Sequence, residues 1–351
     1  MVKLSIIPIA IGSLLIGPLA DASVLTPGNI IVATAFSDQT TTKFGEYTPS
    51  GTLVQSYSIN VPNGTEQVVS GITVGTNLQP YVFSGSFNPQ LWSINTSNNA
   101  QSTRTVSGWS NVGNTVTGGA ASYLSYVFVT SEKASSSNGG VFRFNLSNGT
   151  ALQMFNPNPI SVGGNTSYDK ITIGYDNKLY ALFNNGGFSS PYLVTADPIS
   201  GAGFTVATLS KSVNAIAVDA NGHIYALRGA SNSTGEGIDE FSPSHTLLRS
   251  LNFPNGTLTG TPSSIQLSAT GNILATSNSG TILQTTTDLA TYSTFSIAST
   301  LGVGKTVRYT QAAVVQTPVP EPTCLAVVAM ASLLLAQRRR RHGYVIDLDR
   351  C

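Results

Sequence analysis

The sequence predicts an all-β protein, a six-bladed β-propeller closed by strands from both ends of the chain. The first observation is that residues 212–253 contain four β-like runs, separated by segments rich in Asn, Gly, Ser and Pro that favour chain reversal. A four-stranded unit of about forty residues is the size of one propeller blade. The second observation is that this unit recurs along the chain. The third is a strand-like segment, 306–316, that belongs to no repeat of its own.

The repeat is recognised by the positions of its second and third strands rather than by sequence identity. Second-strand markers recur every 45–53 residues, at Ile31-Val32, Tyr81-Val82, Tyr126-Val127, Leu179-Tyr180, Ile224-Tyr225 and Ile273-Leu274. Third-strand markers follow at 44–47, 91–94, 141–144, 192–195, 238–241 and 282–285. Six blades are therefore predicted, because such uneven spacing is typical of repeats with surface loops of different lengths.

The first blade is one strand short. Residues 29–59 contain three strand-like runs, whereas four-stranded blades are predicted at 67–106, 115–155, 168–209, 213–253 and 263–297. The segment 306–316, TVRYTQAAVVQ, follows the sixth blade and has strand character. We expect it to complete blade one, because closing the ring removes a free sheet edge that would otherwise recruit other chains.

The composition bears on possible partners. Charged residues make up 9% of the 351 residues, and the formal net charge is +1. Because no basic stripe is present to neutralise phosphates, nucleic acid is not expected as a partner. The two cysteines, Cys324 and Cys351, lie beyond the predicted propeller, so no disulfide is expected to stabilise residues 23–317.

Residues 1–22 have the three parts of a secretory signal peptide. Lys3 precedes a mostly apolar run, and Ala20 and Ala22 place small residues at positions −3 and −1 of a signal peptidase site, with Ser23 as the first mature residue. The alternative is an N-terminal membrane anchor, which needs about 20 apolar residues to span the bilayer. We therefore expect signal peptidase and a Sec-type export machinery as partners, and a propeller that folds outside the cytoplasm.

Residues 318–341 combine a proline-rich box, an apolar run and a block of arginines. The box is Val319, Pro320, Glu321 and Pro322, the apolar run is 324–336, and the block is Arg338, Arg339, Arg340 and Arg341. This pattern resembles the PEP-CTERM sorting signal of Gram-negative bacteria. The resemblance implies a short membrane helix, arginines that stay on the cytoplasmic side, and an exosortase that recognises the box and releases the protein.

The sequence departs from this signal in two respects. As a helix, the thirteen residues 324–336 span about 20 Å, less than the hydrocarbon core of about 30 Å. Residues 342–351 extend beyond the arginines, and no role is assigned to this tail. The alternative for 324–341 is a buried core helix with a basic flank, in which four consecutive arginines would have no packing role.

Blade five carries a second resemblance. Its stretch AVDANGHIYAL, with ITIGYDNKLYAL in blade four, resembles blades of the NHL-repeat and gluconolactonase-like six-bladed propellers. In the lactonase relatives, Glu, Asn and Asp hold a calcium ion in the central channel, and the nearest candidates here are Asp176, Asn177, Asp219 and Asn221. These residues lie in predicted tight turns, which favours local hydrogen bonding instead. No metal site or cofactor is therefore predicted, and calcium stays the alternative.

The other ionisable residues lack the spacing of a catalytic or metal site. Glu236, Asp239 and Glu240 form the densest acidic cluster, but 239 and 240 point to opposite faces of one strand, so an exposed, solvated strand edge is predicted. His223 and His245 lack the Cys, His or acidic neighbours typical of zinc ligation or of a nucleophile's base. No catalytic residue is predicted.

Aromatic residues are concentrated in the first three blades. They are Phe36, Tyr81, Phe83, Phe87, Trp92, Trp109, Tyr123, Tyr126 and Phe128. Packing between blades is the favoured interpretation, and a carbohydrate-binding rim of exposed rings is the alternative.

Three functions are consistent with these observations. The favoured one is a non-enzymatic propeller of the cell surface or extracellular matrix, transiently anchored in the inner membrane, with extracellular polysaccharide as a candidate partner. The second is a calcium-dependent, lactonase-like hydrolase, which needs Asp, Glu and Asn side chains converging on the channel. The third is a carbohydrate-binding propeller, which needs exposed rings on one rim.

Overall fold

The computed structural model describes residues 25–36, 41–60, 69–84, 90–96, 98, 100–104, 116–131, 140–155, 166–185, 191–210, 213–229, 235–301 and 306–316. The predicted signal peptide, the predicted sorting signal with its box and arginines, the 342–351 tail, and the side chains of Phe87 and Trp109 lie outside these ranges. Within them, no helix has the length and apolar character needed to cross a membrane.

The described chain forms six four-stranded antiparallel sheets. The strands are β1 (Ile30–Phe36), β2 (Thr41–Tyr47), β3 (Leu53–Asn60), β4 (Val69–Val74), β5 (Pro80–Ser84), β6 (Gln90–Asn95), β7 (Ala100–Arg104), β8 (Val116–Tyr123), β9 (Tyr126–Ser131), β10 (Gly140–Asn145), β11 (Ala151–Phe155), β12 (Thr166–Ile173), β13 (Leu179–Asn185), β14 (Tyr192–Ala196), β15 (Thr205–Thr208), β16 (Ala215–Val218), β17 (Ile224–Arg228), β18 (Gly237–Phe241), β19 (Leu247–Asn252), β20 (Pro262–Leu267), β21 (Asn272–Ser277), β22 (Thr281–Thr286), β23 (Tyr292–Ser296) and β24 (Val307–Val314). A single helical turn, α1 (Ala298–Leu301), separates β23 from β24.

The six sheets are the blades of a closed propeller. Blades two to six use consecutive strands, β4 to β7, β8 to β11, β12 to β15, β16 to β19 and β20 to β23, and blade one has the order β24-β1-β2-β3. The innermost strands contact one another in the cyclic order β24, β4, β8, β12, β16 and β20. The prediction of a six-bladed, all-β propeller is confirmed, because every second-strand and third-strand marker lies in the second or third strand of its blade.

Ring closure by the C-terminal strand is also confirmed. Strand β24 pairs antiparallel with β1, with Ile30 opposite Val314 and Thr34 opposite Thr310. The Ser263 hydroxyl of blade six donates to the Thr310 carbonyl at 2.8 Å, which ties the last blade to the closing strand. The innermost edge of blade one is therefore built from the end of the described chain, and its other three strands from the beginning.

The core lies between neighbouring blades, because the two middle strands of each sheet are covered on both faces. All residues of β17 and β18 are buried, whereas β19, the outer strand of the same blade, is mostly exposed. Between blades five and six, Leu227 and Ile238 pack in one cluster with Ile265. Burial of each such side chain contributes about 1.5–3 kcal/mol to the free energy of unfolding.

The described aromatic residues of the first three blades belong mainly to this core. Phe36, Tyr81, Phe83, Trp92 and Phe128 are buried, and Tyr123 and Tyr126 are half-buried. The Phe83 ring lies 5.2 Å from the Phe144 ring, across the boundary between blades two and three. Packing between blades is therefore the correct interpretation for the five buried residues.

Candidate functional site

The prediction that Glu236, Asp239 and Glu240 form an exposed strand edge is wrong. All three residues are at most 1% exposed. Asp239 and Glu240 lie in β18, which is flanked by β17 and β19 and is buried along its whole length. Glu236 lies just before this strand and is covered by the connection to blade six. Charges buried in this way need partners, and each of the three carboxylates has its own.

Asp239 is paired with a buried arginine of the neighbouring strand. Its Oδ2 atom lies 2.9 Å from Nε of Arg228, and both side chains are at most 1% exposed. Arg228 also donates from Nη1 to the Gly235 carbonyl at 2.7 Å and from Nη2 to Oδ1 of Asn252 at 2.6 Å. Gly237 leaves room for this guanidinium, because a Cβ atom at that position would clash with it.

Glu240, on the opposite face of β18, bridges two basic side chains. Its Oε1 atom lies 2.9 Å from Nδ1 of His223, and its Oε2 atom accepts a hydrogen bond from Nε of Arg249. From the sequence alone, His223 is predicted to have no acidic partner, and this prediction is wrong. The pairing of β17 with β18 could have indicated this contact. Tyr225 pairs with Glu240, and His223 lies two residues before Tyr225, on the same face of the sheet.

Glu236 fixes the connection between blades five and six. Its two carboxylate oxygens accept hydrogen bonds from the backbone N–H groups of Gly256 and Leu258, at 3.0 and 3.1 Å. The acidic cluster therefore serves three separate structural contacts. Among the described residues, no group of three His, Cys, Asp or Glu side chains is arranged to hold a metal ion.

The proposed calcium ligands of blades four and five lie in tight turns, as the turn interpretation predicts. Oδ1 of Asp219 accepts from the N–H groups of Asn221 and His223, at 2.9 and 2.8 Å. Oδ1 of Asp176 accepts from the Lys178 N–H at 3.2 Å, and Asn177 has a left-handed backbone with a φ of 62°. These carboxylates shape the turns that connect the first and second strands of their blades.

A cavity of about 320 Å³ between these two blades contains paired ionisable groups. The Tyr180 hydroxyl donates to Oδ2 of Asp176 at 2.7 Å, and Nζ of Lys178 lies 3.3 Å from the same oxygen. Burial and the adjacent Asp176 raise the pKa of Tyr180 above its usual range. Burial lowers the pKa of His245, which lines the same cavity, so this imidazole favours its neutral form.

The centre of the channel is closed by small side chains on the innermost strands. The constriction leaves about 20 Å³, room for about one water molecule, and Gly119, Ala215 and Ser264 are among its lining residues. Lys170 is the one charged side chain among the described residues that line it. Gly71 allows this narrowness, because a Cβ atom there would lie 2.5 Å from the Ala120 backbone nitrogen.

The channel opens at one end into a cavity of about 340 Å³, here called the mouth. The mouth lies where the innermost strands end and their first turns begin. Its described lining is uncharged, and its polar residues are Thr73, Thr76, Ser122, Tyr123, Thr172, Tyr175, Asn177, Gln266 and Gln316.

Internal hydrogen bonds hold the polar groups of the mouth in place. The Ser122 hydroxyl donates to the Val74 carbonyl at 2.6 Å and accepts from Thr73 at 3.0 Å, which joins blades two and three. The Tyr175 hydroxyl donates to the Leu267 carbonyl at 3.1 Å, and burial raises the pKa of Tyr175 to about 12. Tyr175 therefore stays neutral over the physiological range of pH.

A second cavity, of about 470 Å³, lies between blades six and one and is here called the seam groove. Val314 lines both cavities, and the turn 268–271 separates them, since Ala269 lines the mouth while Ser268 and Thr270 line the groove. Tyr292, on the outer strand of blade six, borders the groove, and its ring packs on Phe253 on the side of the sheet turned toward blade five. The mouth and the seam groove therefore form one continuous face.

The described part of the channel does not fit the calcium site of the lactonase relatives. Calcium takes six to eight oxygen ligands, and carboxylates are usually among them. The described linings of the mouth and the constriction supply hydroxyl, amide and backbone oxygens but no carboxylate. No mechanistic step is therefore derived through calcium.

The fold and this face define the chain as a six-bladed β-propeller with a cavity at one end of its channel, and the described lining of this cavity is uncharged. No protein-family model matches the sequence, and no curated protein matches it. Similar solved structures include a catalytically inactive virginiamycin B lyase from Staphylococcus aureus with quinupristin, at 13% identity and a TM-score of 0.48, covering 78% of this chain and 87% of that one.

Two further solved structures have comparable similarity. Regucalcin from Agrobacterium tumefaciens, described as a calcium-binding protein, is 11% identical with a TM-score of 0.48, covering 67% of this chain and 76% of that one. The major Malassezia sympodialis allergen Mala s 1 is 15% identical with a TM-score of 0.47, covering 64% of this chain and 77% of that one. Similarity at this level carries no inference about activity or ligand.

Proposed function

We propose that this protein is an exported, non-enzymatic propeller of the cell surface or extracellular matrix, sorted by an exosortase-type system. The observation that carries the proposal is the chemistry of the mouth, whose described lining is uncharged. Hydrolysis needs a positioned nucleophile and groups that transfer protons. Asp239 and Glu240 are buried in contacts with Arg228, His223 and Arg249. Asp176, in the cavity between blades four and five, accepts from the Tyr180 hydroxyl and lies 3.3 Å from Nζ of Lys178. Binding is the role that this face supports best.

The positions of the chain ends support the sorting part of the proposal. The Val315 N–H donates to the Asn29 carbonyl, and the Gly28 N–H donates to the Val315 carbonyl, both at 2.8 Å. The two ends of the described propeller thus lie side by side, at the mouth. A signal peptide before residue 23 and a sorting signal after residue 317 would both be attached at this end, where processing leaves the blades intact.

The test is to change the sorting signal without changing the propeller. Replacement of Pro320, Glu321 and Pro322 by Ala should leave export through the inner membrane intact but keep the protein uncleaved and membrane-bound, because the protease loses its extended box. The matched control is Thr323→Ala, next to the box. Cell fractionation and mass spectrometry of the C-terminus measure the outcome.

A second variant tests the depth of insertion. Replacement of Arg338, Arg339, Arg340 and Arg341 by Ser should let the short apolar run slide through the membrane, so that protein is released without processing, whereas replacement by Lys should preserve processing. If the box and Ser variants both reach the exterior with the same C-terminal cut as the parent, the tail is not a sorting signal.

A further inference from the structure

We propose that Glu46, a buried carboxylate of blade one, binds the α-ammonium group that signal peptidase would create at Ser23. The new N-terminus would then be fixed to the blade that closes the ring, so that processing stabilises the folded protein. The inference rests on the signal peptide of the proposed function and goes beyond the role of the mouth.

Glu46 ties the start of the described chain to blade one. It is 0% exposed. Its Oε1 atom accepts hydrogen bonds from the Thr26 N–H at 2.8 Å and from Nδ2 of Asn29 at 2.7 Å, and its Oε2 atom accepts from Nε2 of Gln55 at 2.7 Å. Thr26 and Asn29 precede β1, whereas Gln55 lies opposite Glu46 on β3. One carboxylate therefore joins the segment before β1 to the strands β2 and β3.

These contacts satisfy the hydrogen bonds of Glu46 but supply no opposite charge. All three partners are N–H donors, which suit an ionised carboxylate. Among the residues that the structure describes, no Lys, Arg or His side chain forms an ion pair with Glu46. Asp239 and Glu240 of blade five, by contrast, each pair with a basic side chain. Because a buried charge is more stable beside an opposite charge, Glu46 offers a site for a cation.

A second polar group beside Glu46 is buried without a partner. The Tyr57 hydroxyl makes no hydrogen bond. Tyr57 lies two residues after Gln55 on β3, on the same face of the sheet as Gln55 and Glu46. Burial, followed by the charge of Glu46, raises the pKa of Tyr57 above its usual range. An ammonium group has three donors, so it can serve both the carboxylate and the hydroxyl oxygen.

The covalent chain brings the predicted N-terminus to this site. Three residues separate the Ser23 nitrogen from the Thr26 nitrogen, so the two atoms lie at most about 11 Å apart. The Thr26 nitrogen is itself 2.8 Å from Oε1 of Glu46. Leu25, between them in sequence, is buried in the same core cluster as Tyr57. A chain that begins at Ser23 therefore begins close to Glu46.

Processing would reverse the charge that precedes this segment. Before cleavage, the chain carries Asp21, a second negative charge close in sequence to the residues that contact Glu46. Cleavage after Ala22 would remove Asp21 and leave an α-ammonium group, which is mostly protonated at neutral pH because the usual α-amino pKa is about 7.7–8.0. Like charges repel and opposite charges attract, so the mature chain would be more stable than its precursor. This stability would be gained only after export, where the propeller is expected to fold.

The first experiment changes the charge of the N-terminus alone. Exported protein is purified in mild detergent, and mass spectrometry determines its first residue. The α-amine is then either acetylated, which removes the charge, or dimethylated, which keeps it; near pH 6.5 it reacts before lysine amines because its pKa is lower. Acetylation should lower the midpoint of thermal unfolding by about 3–6 °C, and dimethylation by less than about 2 °C.

The second experiment tests whether this shift depends on Glu46. Glu46→Gln keeps the size of the side chain but not its charge, so acetylated and unmodified chains of this variant should unfold at the same temperature. The matched control is Glu236→Gln, because Glu236 is also buried, at 1%, and also accepts from N–H groups, those of Gly256 and Leu258. In this control the acetylation shift should equal that of the parent.

A third measurement needs no variant and decides the question if Glu46→Gln does not fold. Ion pairing keeps an amine protonated and therefore unreactive. Acetylation of the Ser23 α-amine should thus be at least about 5-fold slower in the folded protein than in the same chain unfolded in urea. Equal rates would contradict the ion pair.

The outcomes are separable from those of the proposed function. A chain that begins at Ser23 but shows no acetylation shift, or shows the same shift in Glu46→Gln as in the parent, would overturn the ion pair and leave the signal peptide intact. An exported chain that retains residues 1–22, or that begins at another residue, would overturn both. Unchanged processing of the box variants would contradict the sorting proposal without affecting the N-terminus.

Discussion

Asp239→Asn should destabilise the protein strongly while leaving its shape almost unchanged. Asparagine has the same size as aspartate and keeps an oxygen that can accept the hydrogen bond from the Ser250 hydroxyl. It removes the negative charge 2.9 Å from Nε of Arg228. Arg228 cannot lose its proton, so the substitution leaves a positive charge inside blade five.

The magnitude follows from the burial of the pair. Breaking a buried ion pair by removing one partner costs about 3–5 kcal/mol, out of a total stability of about 5–15 kcal/mol. Two neutral acceptors of Arg228, the Gly235 carbonyl and Asn252, remain in place, so we expect the lower end of this range, about 3 kcal/mol. For a domain of this size, the midpoint of thermal unfolding should fall by roughly 6–12 °C.

Thermal unfolding followed by circular dichroism measures this effect. The matched control is Asp197→Asn, in an exposed turn of blade four, where we expect a change below about 1 kcal/mol. The double variant Arg228→Met with Asp239→Leu should recover most of the loss, because apolar residues of similar size often replace a buried ion pair without cost. A midpoint for Asp239→Asn within about 2 °C of the parent would refute the reasoning.

Three further predictions concern closure and ionisation. A chain that ends at Leu301 should unfold with much lower cooperativity than one that ends at Gln316, because removing β24 opens the ring; equal calorimetric transitions would contradict the closure argument. Burial raises the pKa of Tyr47 to about 12, so the folded state loses stability as pH rises from 10 to 12, and Tyr47→Phe should flatten that loss in melts at pH 9 and 11. Burial lowers the pKa of His245, so the folded state loses stability as pH falls below about 6.5. His245→Asn is compatible with the left-handed backbone at this position, and it should reduce the difference between the melting temperatures at pH 7.5 and pH 5.

The blade architecture could be predicted because its signals are local. Alternating or continuous apolar runs separated by Gly and Asn turns indicate strands, and their recurrence indicates repeats. Ring closure was indicated by two features together, the missing strand of blade one and the unassigned segment 306–316. The residues that pair, such as Ile30 and Val314, are far apart in sequence. A count of strands per repeat sufficed, and no contact between specific side chains had to be known.

The environment of the acidic residues could not be predicted by the same route. Two successive charges, Asp239 and Glu240, are typical of an exposed strand, yet this strand is the third of its sheet and has neighbours on both sides. Their partners lie on adjacent strands, so the burial becomes visible only through the hairpin register that brings Glu240 near His223. The mouth is still less accessible to sequence analysis, because several blades each contribute a few residues to it.

The location of the binding face connects its two proposed roles. Gln316, exposed at the mouth, is separated from the apolar run that begins at Cys324 by seven residues, which reach at most about 25 Å when fully extended. If the apolar run anchors the protein before processing, the mouth would be held close to the bilayer, where a large ligand would have little access. The proposed cleavage at the box would remove that restraint. Release and access to the ligand would then occur in one step, because the strand that closes the propeller also leads into the proposed sorting signal.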